Sequence, residues 1–182
     1  MEYIKLWAYG KQEVLTPKPS HPLYSLSHPP IKKPIPYIFY LRDEAEKGGN
    51  HKLEEKFKNT DFQDTTTKYP LIFIQTGKNL GFAGGNNVGI KYVLAKDDSD
   101  YILLLNNDTV VDKNFISELV KYFDKSTGIC APLIKNFYKP TEIWSSGGKF
   151  NILTGIYSNN TKFIKSDQQE TNFISGCCWL VK

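Results

Sequence analysis

The residues most suited to chemistry in this 182-residue chain stand at the end of an apolar run. The triplet Asn106-Asn107-Asp108 follows directly after Tyr101 to Leu105, a run typical of a buried strand. Carboxylate and amide oxygens at a strand end are ligands that Mg²⁺ or Mn²⁺ accepts when substrate phosphates complete the coordination. An Asx turn or helix cap is the alternative reading, but Asp112 already suits the cap of the next helix. The triplet therefore predicts a divalent-cation site at Asp108.

A glycine-rich segment, GKNLGFAGGNN over residues 77–87, follows a second apolar run from Leu71 to Ile74. Glycines let a ligand approach the backbone closely, and amide groups at the start of a helix attract anions. The following residues predict a helix from about Asn86 to Lys96. A tight strand-to-helix turn capped near Asn86 explains the same glycines equally well. The segment matches neither the dinucleotide fingerprint nor the Walker pattern.

The two apolar runs and the intervening helix predict a strand–helix–strand unit of a parallel sheet, with both strands central and covered on both faces. Because ligands bind beyond the carboxyl ends of such strands, the glycine-rich segment and the triplet are expected to lie side by side at one rim. A helix over about 113–124 and a strand over 129–134 repeat the unit. The short β-like runs after residue 141 predict an antiparallel or mixed addition.

The preceding part of the chain is of a different character. Residues 1–33 are rich in proline, which predicts an extended surface excursion. A strand is predicted over Ile35–Leu41, then a charged helical stretch over Arg42–Lys58 interrupted by Gly48 and Gly49. Residues 60–68 form a polar connection to the first apolar run.

Composition narrows the functional classes. The net charge of +4 comes from lysines spread among acidic residues, which favours a solvated surface over a nucleic-acid groove. The three cysteines, Cys130, Cys177 and Cys178, show no metal-ligand spacing and favour a reducing compartment. No signal peptide or bilayer-spanning run is present. We expect a cytoplasmic protein with at most peripheral contact at the inner face of a membrane.

The combination NLGFAGGNNVGIKYVLAK and DYILLLNNDTVVDKNFISELV resembles the family 2 glycosyltransferases, GT-A fold enzymes of the rhamnosyltransferase-like kind. The downstream FISGCCWLVK is similar to the strand that follows an acceptor-side loop in that family. The resemblance implies an α/β, Rossmann-like, mostly parallel sheet flanked by helices, with a mixed or antiparallel C-terminal part. It also implies transfer of a sugar from a nucleotide-diphosphate donor to a glycan or lipid-linked acceptor, as in polysaccharide biosynthesis.

The resemblance assigns roles to matching positions. Asp108 would ligate Mg²⁺ or Mn²⁺ bridging the donor diphosphate, and Asn106 would lie near the ribose. The donor's diphosphate side would be contacted from the glycine-rich segment by Asn79, Gly81, Gly84, Gly85 and Asn87. The reaction is expected to invert the anomeric carbon, with a carboxylate base deprotonating the acceptor hydroxyl.

The same resemblance implies a single partial domain over residues 1–182. Its parts are an insertion-like segment over 1–68, a nucleotide-sugar-binding core over 69–135 and the start of an acceptor-side region over 136–182. The family's first strands with their TYN-like turn, and the acidic pair that supplies the base, have no counterpart here. The domain is therefore expected to be truncated at both ends, with its base beyond Lys182. The second hypothesis is a non-catalytic domain that at most binds a nucleotide diphosphate and a cation.

Overall fold

The computed structural model describes residues 36–58, 70–162 and 166–182. The predicted proline-rich excursion, the first residue of the predicted strand at Ile35 and the polar connection over 60–68 lie outside these ranges. The chain divides into two compact units, residues 1–99 and 100–182. The single domain and its three parts stay predictions. Within the described ranges, no helix is both long enough and apolar enough to cross a membrane.

Residues 36–58 and 70–99, the described part of the first unit, contain one parallel strand pair and three helices. In chain order these are β1 (Tyr37–Leu41), α1 (Arg42–Ala45), α2 (His51–Lys58), β2 (Leu71–Gln75) and α3 (Gly81–Lys96). Tyr37 lies opposite Leu71 and the register continues to Leu41 opposite Gln75. The predicted strands and the predicted interruption of the helical stretch at Gly48 and Gly49 are confirmed.

The core of the first unit forms on one face of β1. Side chains alternate across a strand, so Ile38 and Tyr40 point the same way, and both are buried together with Ala45 of α1. Residues packed against this core come from α2, β2 and α3: Phe57, Ile72, Ile74 and Tyr92. Burial of these side chains holds α3, and with it the glycine-rich segment, on the strand pair.

A charged group lies inside this core. Glu54 of α2 is only 3% exposed, and its Oε1 accepts hydrogen bonds from the hydroxyls of Tyr40 at 2.7 Å and Tyr92 at 3.0 Å. Its Oε2 accepts a hydrogen bond from the ammonium of Lys96. The Tyr40 hydroxyl also accepts the backbone N–H of Asn50 at 2.9 Å. This Glu54 cluster, made of Tyr40, Glu54, Tyr92 and Lys96, satisfies a charge whose unpaired burial would be costly.

The ionisation of the cluster follows from these contacts. Burial favours the neutral form of Glu54, but the donors Lys96, Tyr40 and Tyr92 outweigh it and lower the pKa of Glu54. Burial likewise opposes the charge on Lys96, yet the Glu54 carboxylate raises the pKa of Lys96 overall. Burial, together with Glu54, raises the pKa of Tyr40 to about 12. The ion pair and the neutral phenols therefore coexist over the neutral pH range.

The described residues of the second unit form short strands and one helix. In chain order these are β3 (Ile102–Leu105), α4 (Phe115–Val120), β4 (Ile129–Cys130), β5 (Ile134–Lys135), β6 (Ile143–Ser145), β7 (Gly148–Asn151), β8 (Ile156–Asn159) and β9 (Cys178–Val181). β9 lies between β3 and β4 and is antiparallel to both. β5 pairs with β6 and β7 with β8, both antiparallel. The predicted antiparallel addition is confirmed.

The arrangement differs from the predicted mostly parallel sheet. Among the described strands, β1 and β2 form the one parallel pair. β3 and β4 run in the same direction, as expected of strands flanking a helix, but β9 is inserted between them because its alternating Cys178 and Leu180 side chains are buried there. The predicted strand over 129–134 is split, since Pro132 has no N–H to donate to a ladder.

Gly49→Ala tests the Glu54 cluster. Gly49 has φ of +71°, and an added Cβ would lie 2.7 Å from the Tyr40 ring and 2.8 Å from the Glu54 Oε1. We expect a loss of roughly 2–4 kcal/mol in the free energy of unfolding, from backbone strain and overpacking. Urea unfolding followed by circular dichroism measures it. Gly89→Ala, in α3 with open space at its Cβ position, is the control and should gain up to about 1 kcal/mol. Equal effects of the two substitutions would contradict the packing described.

Stability should also depend on pH through the same cluster. Because the pKa of Glu54 is lowered on folding, its contribution is present above the ordinary glutamate value of 4.5 and disappears as pH falls through the folded-state value. Because the pKa values of Lys96 and Tyr40 are raised, their contribution is present at neutral pH and disappears as pH rises above about 10. Unfolding free energies measured from pH 3 to 11 should decline at both ends.

In Glu54→Gln, the free energy of unfolding should fall less steeply below pH 4.5. Glu55→Gln, at an exposed neighbouring position, should keep the steep fall. If the free energy of unfolding falls equally at acid pH in Glu54→Gln and in the unaltered protein, other carboxylates are responsible for the loss.

Candidate functional site

The glycine-rich segment is helical earlier than predicted. α3 begins at Gly81, five residues before the predicted start near Asn86, which also excludes the alternative of a helix cap near Asn86. The Asn79 side chain accepts the Gly81 N–H at 2.9 Å and so forms the turn that starts the helix. Gly81, Gly84 and Gly85 therefore lie in the first turns of α3 rather than in a loop. Packing of residues such as the buried Val88 outweighs the low helix propensity of glycine.

The three glycines differ in what the fold requires of them. Gly81 has φ of +68°, a conformation that other residues adopt only with strain. At Gly84 an added Cβ would lie 2.8 Å from the Cβ of Leu80. A glycine here therefore leaves room for the Leu80 side chain beside the helix. At Gly85 the Cβ position meets no atom of the described residues within 4 Å, apart from its chain neighbours and its own helix backbone. Gly85 thus has no steric role in the fold, and the open space beside it is where a ligand can approach the backbone.

The start of α3 also suits an anion electrostatically. No side-chain hydrogen bond caps the helix at Leu80, and the first turn contains no acidic residue. Apart from the Gly81 N–H, which Asn79 accepts, the amides of the first turn and the helix dipole place partial positive charge at this end. Asn79 and Asn87 are exposed on either side of the glycines. Asn79 uses its side-chain oxygen for the turn, which leaves its amide group for a ligand.

The triplet after β3 is fixed through its backbone. The Asn106 N–H donates to the carbonyl of Cys177 at 2.9 Å, continuing the β3–β9 ladder, and the Thr109 hydroxyl donates to the Asn106 carbonyl at 2.7 Å. These contacts at both its N–H and its carbonyl hold the start of the triplet while Asn107 and Asp108 face solvent. The sequence prediction of a polar tip on an apolar strand is confirmed.

Asp108 is exposed, and no hydrogen bond or ion pair engages its carboxylate within the described part of the chain. Burial and, secondarily, the negative charge of Asp108 raise the pKa of the Cys177 thiol. The carboxylate therefore lies near the residue that precedes β9. Asp112 has a separate, structural role: its Oδ1 accepts the N–H of Asn114, the residue at which α4 is capped. The predicted cap at Asp112 is wrong, since the cap residue is Asn114, but Asp112 supports the turn that leads into α4.

The donor set fits a cation held jointly with substrate. In the described ranges, no group of three or more His, Cys, Asp and Glu side chains is placed to hold a metal ion. Mg²⁺ is commonly bound through one or two carboxylates with phosphate oxygens and water completing the shell. A single exposed Asp108 is consistent with that mode and leaves the cation dependent on a phosphate ligand. The Mg²⁺ or Mn²⁺ site stays a prediction.

The glycine-rich segment belongs to the first unit and the triplet to the second. Their predicted position side by side at one rim stays a prediction. The Glu54 cluster, which fixes α3, was missed by sequence reasoning because HKLEEKFK has the composition of a solvated helix. The i, i+4 pair Tyr92 and Lys96 on α3 was the available signal.

Comparison with known proteins assigns the family. The sequence pattern of Glycosyl transferase family 2 matches residues 54–182, which include α3, the triplet and β9. The chain belongs to this family. Family 2 membership implies the GT-A α/β fold, and the described residues combine helices and strands accordingly. The resemblance identified from the two sequence motifs is confirmed.

A curated relative of this family 2 chain is the low-salt glycan biosynthesis hexosyltransferase Agl10 of Haloferax volcanii. The two are 37% identical over 67 residues, which cover 36% of this chain and 22% of the relative. The chain thus spans about a fifth of the relative's length. No solved structure matches the chain.

Gly85→Ala tests whether Gly85 is needed for contact with a ligand or for the stability of the fold. The added Cβ meets no atom, so we expect unchanged or slightly higher stability, by up to about 1 kcal/mol, together with weaker binding of a nucleoside diphosphate. Calorimetric titration with UDP, GDP and dTDP in the presence of Mg²⁺ measures the affinity. Gly89→Ala has the same open environment four residues further from the start of the helix and should bind normally.

Gly84→Ala serves as the structural comparison, because its Cβ meets Leu80 and should lower stability. If Gly85→Ala binds the nucleoside diphosphates as tightly as the unaltered protein, the surface beside Gly85 is not part of the donor site.

Proposed function

We propose that this family 2 domain acts in the transfer of a sugar from a nucleotide-diphosphate donor to a glycan or lipid-linked acceptor. The observation that carries the proposal is the Asp108 carboxylate, exposed at the end of β3, beyond a backbone fixed by Cys177 and without a partner among the described side chains. A carboxylate with no structural task at the tip of an apolar strand is available for a ligand.

Each unit offers its own proposed contacts to the donor. The uncapped start of α3 and the open backbone at Gly85 supply amide donors and close approach for its oxygens. Asn79 and Asn87 would donate from their amide groups, and Asn106 would approach the ribose. Asp108 would hold Mg²⁺ or Mn²⁺ together with the diphosphate, and the bound cation would neutralise charge on the departing nucleoside diphosphate.

The similarity to a hexosyltransferase of glycan biosynthesis supports a growing glycan as the acceptor. An inverting transfer also needs a carboxylate to accept the proton of the acceptor hydroxyl. We propose a cytoplasmic location, which the three free thiols of Cys130, Cys177 and Cys178 support because such thiols persist in a reducing compartment.

Asp108→Asn tests the proposal. It removes the charge but keeps the size, so we expect donor turnover to fall by at least about 100-fold and cation-dependent binding of the nucleoside diphosphate to be lost. Stability should be unchanged, since the carboxylate has no described partner. The assay follows nucleoside-diphosphate release from UDP-, GDP- and dTDP-sugars with Mg²⁺ or Mn²⁺ and candidate acceptors.

Asp112→Asn is the matched control, because asparagine keeps the oxygen that accepts the Asn114 N–H. Equal turnover in Asp108→Asn and the unaltered protein would contradict the proposed role. Cation-dependent binding without turnover in the unaltered protein would instead support the non-catalytic binding domain.

A further inference from the structure

A side-chain hydroxyl closes the turn that presents Asp108. The turn runs from Asn106 to Thr109 and follows β3 directly. The Thr109 hydroxyl donates to the Asn106 carbonyl at 2.7 Å. A turn of four residues is often closed by the backbone N–H of its last residue. Within the described ranges no backbone N–H bonds to the Asn106 carbonyl, so closure of this turn depends on the threonine side chain.

The first residue of the turn is anchored to the sheet. The Asn106 N–H donates to the Cys177 carbonyl at 2.9 Å, one step beyond the β3–β9 ladder. Further along the chain, the Asp112 side chain accepts the Asn114 N–H at 2.8 Å. Between these two anchors, the described hydrogen bond that restrains the backbone is the one from Thr109. Its hydroxyl therefore connects the turn to a residue that the ladder already fixes.

Asp108 has no contact of its own that fixes its direction. Its carboxylate is exposed and has neither a hydrogen bond nor an ion pair among the described residues. A cation held by one protein carboxylate and by phosphate oxygens requires that carboxylate at a defined place. A turn that samples several shapes loses more conformational entropy on binding, which weakens the affinity. Closure of the turn thus determines how well Asp108 is placed for a cation.

The same hydrogen bond matters less for the stability of the fold. Asn106 and Thr109 are both partly exposed, so water can reach the Asn106 carbonyl when the hydroxyl is removed. A hydrogen bond to water replaces much of what is lost, and no buried carbonyl is left without a partner. Loss of the hydroxyl should therefore loosen the turn while the fold remains intact.

We propose that Thr109 is a positioning residue for the cation site. By closing the turn on Asn106, its hydroxyl holds the Asp108 carboxylate in place for Mg²⁺ or Mn²⁺ and the donor diphosphate. Thr109 itself does not contact the cation. This inference rests on the proposed role of Asp108 in sugar transfer and adds a residue that determines the affinity of the site.

Titration of the full chain with Mn²⁺ in the presence of UDP, GDP or dTDP tests this role. Electron paramagnetic resonance of free Mn²⁺ gives the number of sites and their affinity without any need for turnover. Thr109→Val keeps the branched shape and removes the hydroxyl. We expect about tenfold weaker Mn²⁺ binding with an unchanged number of sites per chain. Thr109→Ser retains a hydroxyl and should restore the affinity.

A purely structural role for Thr109 would give a different result. Each variant is titrated at a temperature at which urea unfolding shows it to be folded, so that unfolded chain does not lower the apparent affinity. Thr109→Ala, which also lacks the hydroxyl, is the second variant and should weaken Mn²⁺ binding to a similar extent. A threonine needed only for stability would leave the affinity of the folded variants unchanged.

Thr127→Val is the matched control. The Thr127 hydroxyl also supports a local turn, because it donates to the Asp124 carboxylate at 2.8 Å, in another loop of the same unit. Its removal deletes the same chemical group from a turn that does not carry the candidate cation ligand. Thr127→Val should therefore bind Mn²⁺ like the unaltered protein.

Three results would overturn the inference. The first is full Mn²⁺ affinity in folded Thr109→Val and Thr109→Ala when Asp108→Asn has lost it, which leaves the role of Asp108 intact. The second is equally weak binding in Thr109→Ser and Thr109→Val, which would show that the hydroxyl is not the responsible group. The third is unchanged affinity in Asp108→Asn, which removes the cation site itself and this inference with it.

Discussion

A carboxylate buried inside the first unit is the constraint on which that unit depends. Glu54 binds two phenols and one ammonium at once, and these donors come from β1 and α3. A charge in such a place is stable only with all its partners, so the three elements cannot shift independently. The start of α3, including the open backbone at Gly85, is positioned by the contacts of Tyr92 and Lys96, about two to four turns further along the helix.

In the second unit, the triplet Asn106-Asn107-Asp108 after β3 is held by backbone contacts and not by a buried charge. Asn106 is held by one main-chain hydrogen bond to Cys177, the residue that precedes β9, so the site begins where the β3–β9 ladder ends. Asp108 can then remain exposed, with no partner among the described residues, without loosening the fold. A surface carboxylate on a rigid strand end is a better cation ligand than one on a free loop, because less conformational entropy is lost on binding.

The sequence predicted those features that depend on local patterns. Apolar runs located β1, β2 and β3, and the change from apolar to polar at Asn106 located the tip of β3. The start of α3 was predicted too late, since glycine content suggested a loop while the Asn79 turn and the packing around Val88 extend the helix to Gly81. The Glu54 cluster and the central place of β9 depend on contacts between distant residues, and no local pattern encodes them.

The position of β9 has a consequence for how the second unit forms. More than seventy residues separate Leu105 from its partner Cys178, and β9 also provides the neighbour of β4. During synthesis, β3 and β4 leave the ribosome before β9. Until β9 follows, the backbone N–H and C=O groups that pair with it have no partner strand. Closing so long a loop is slow and costly in entropy, which leaves the nascent chain dependent on protection of those edges.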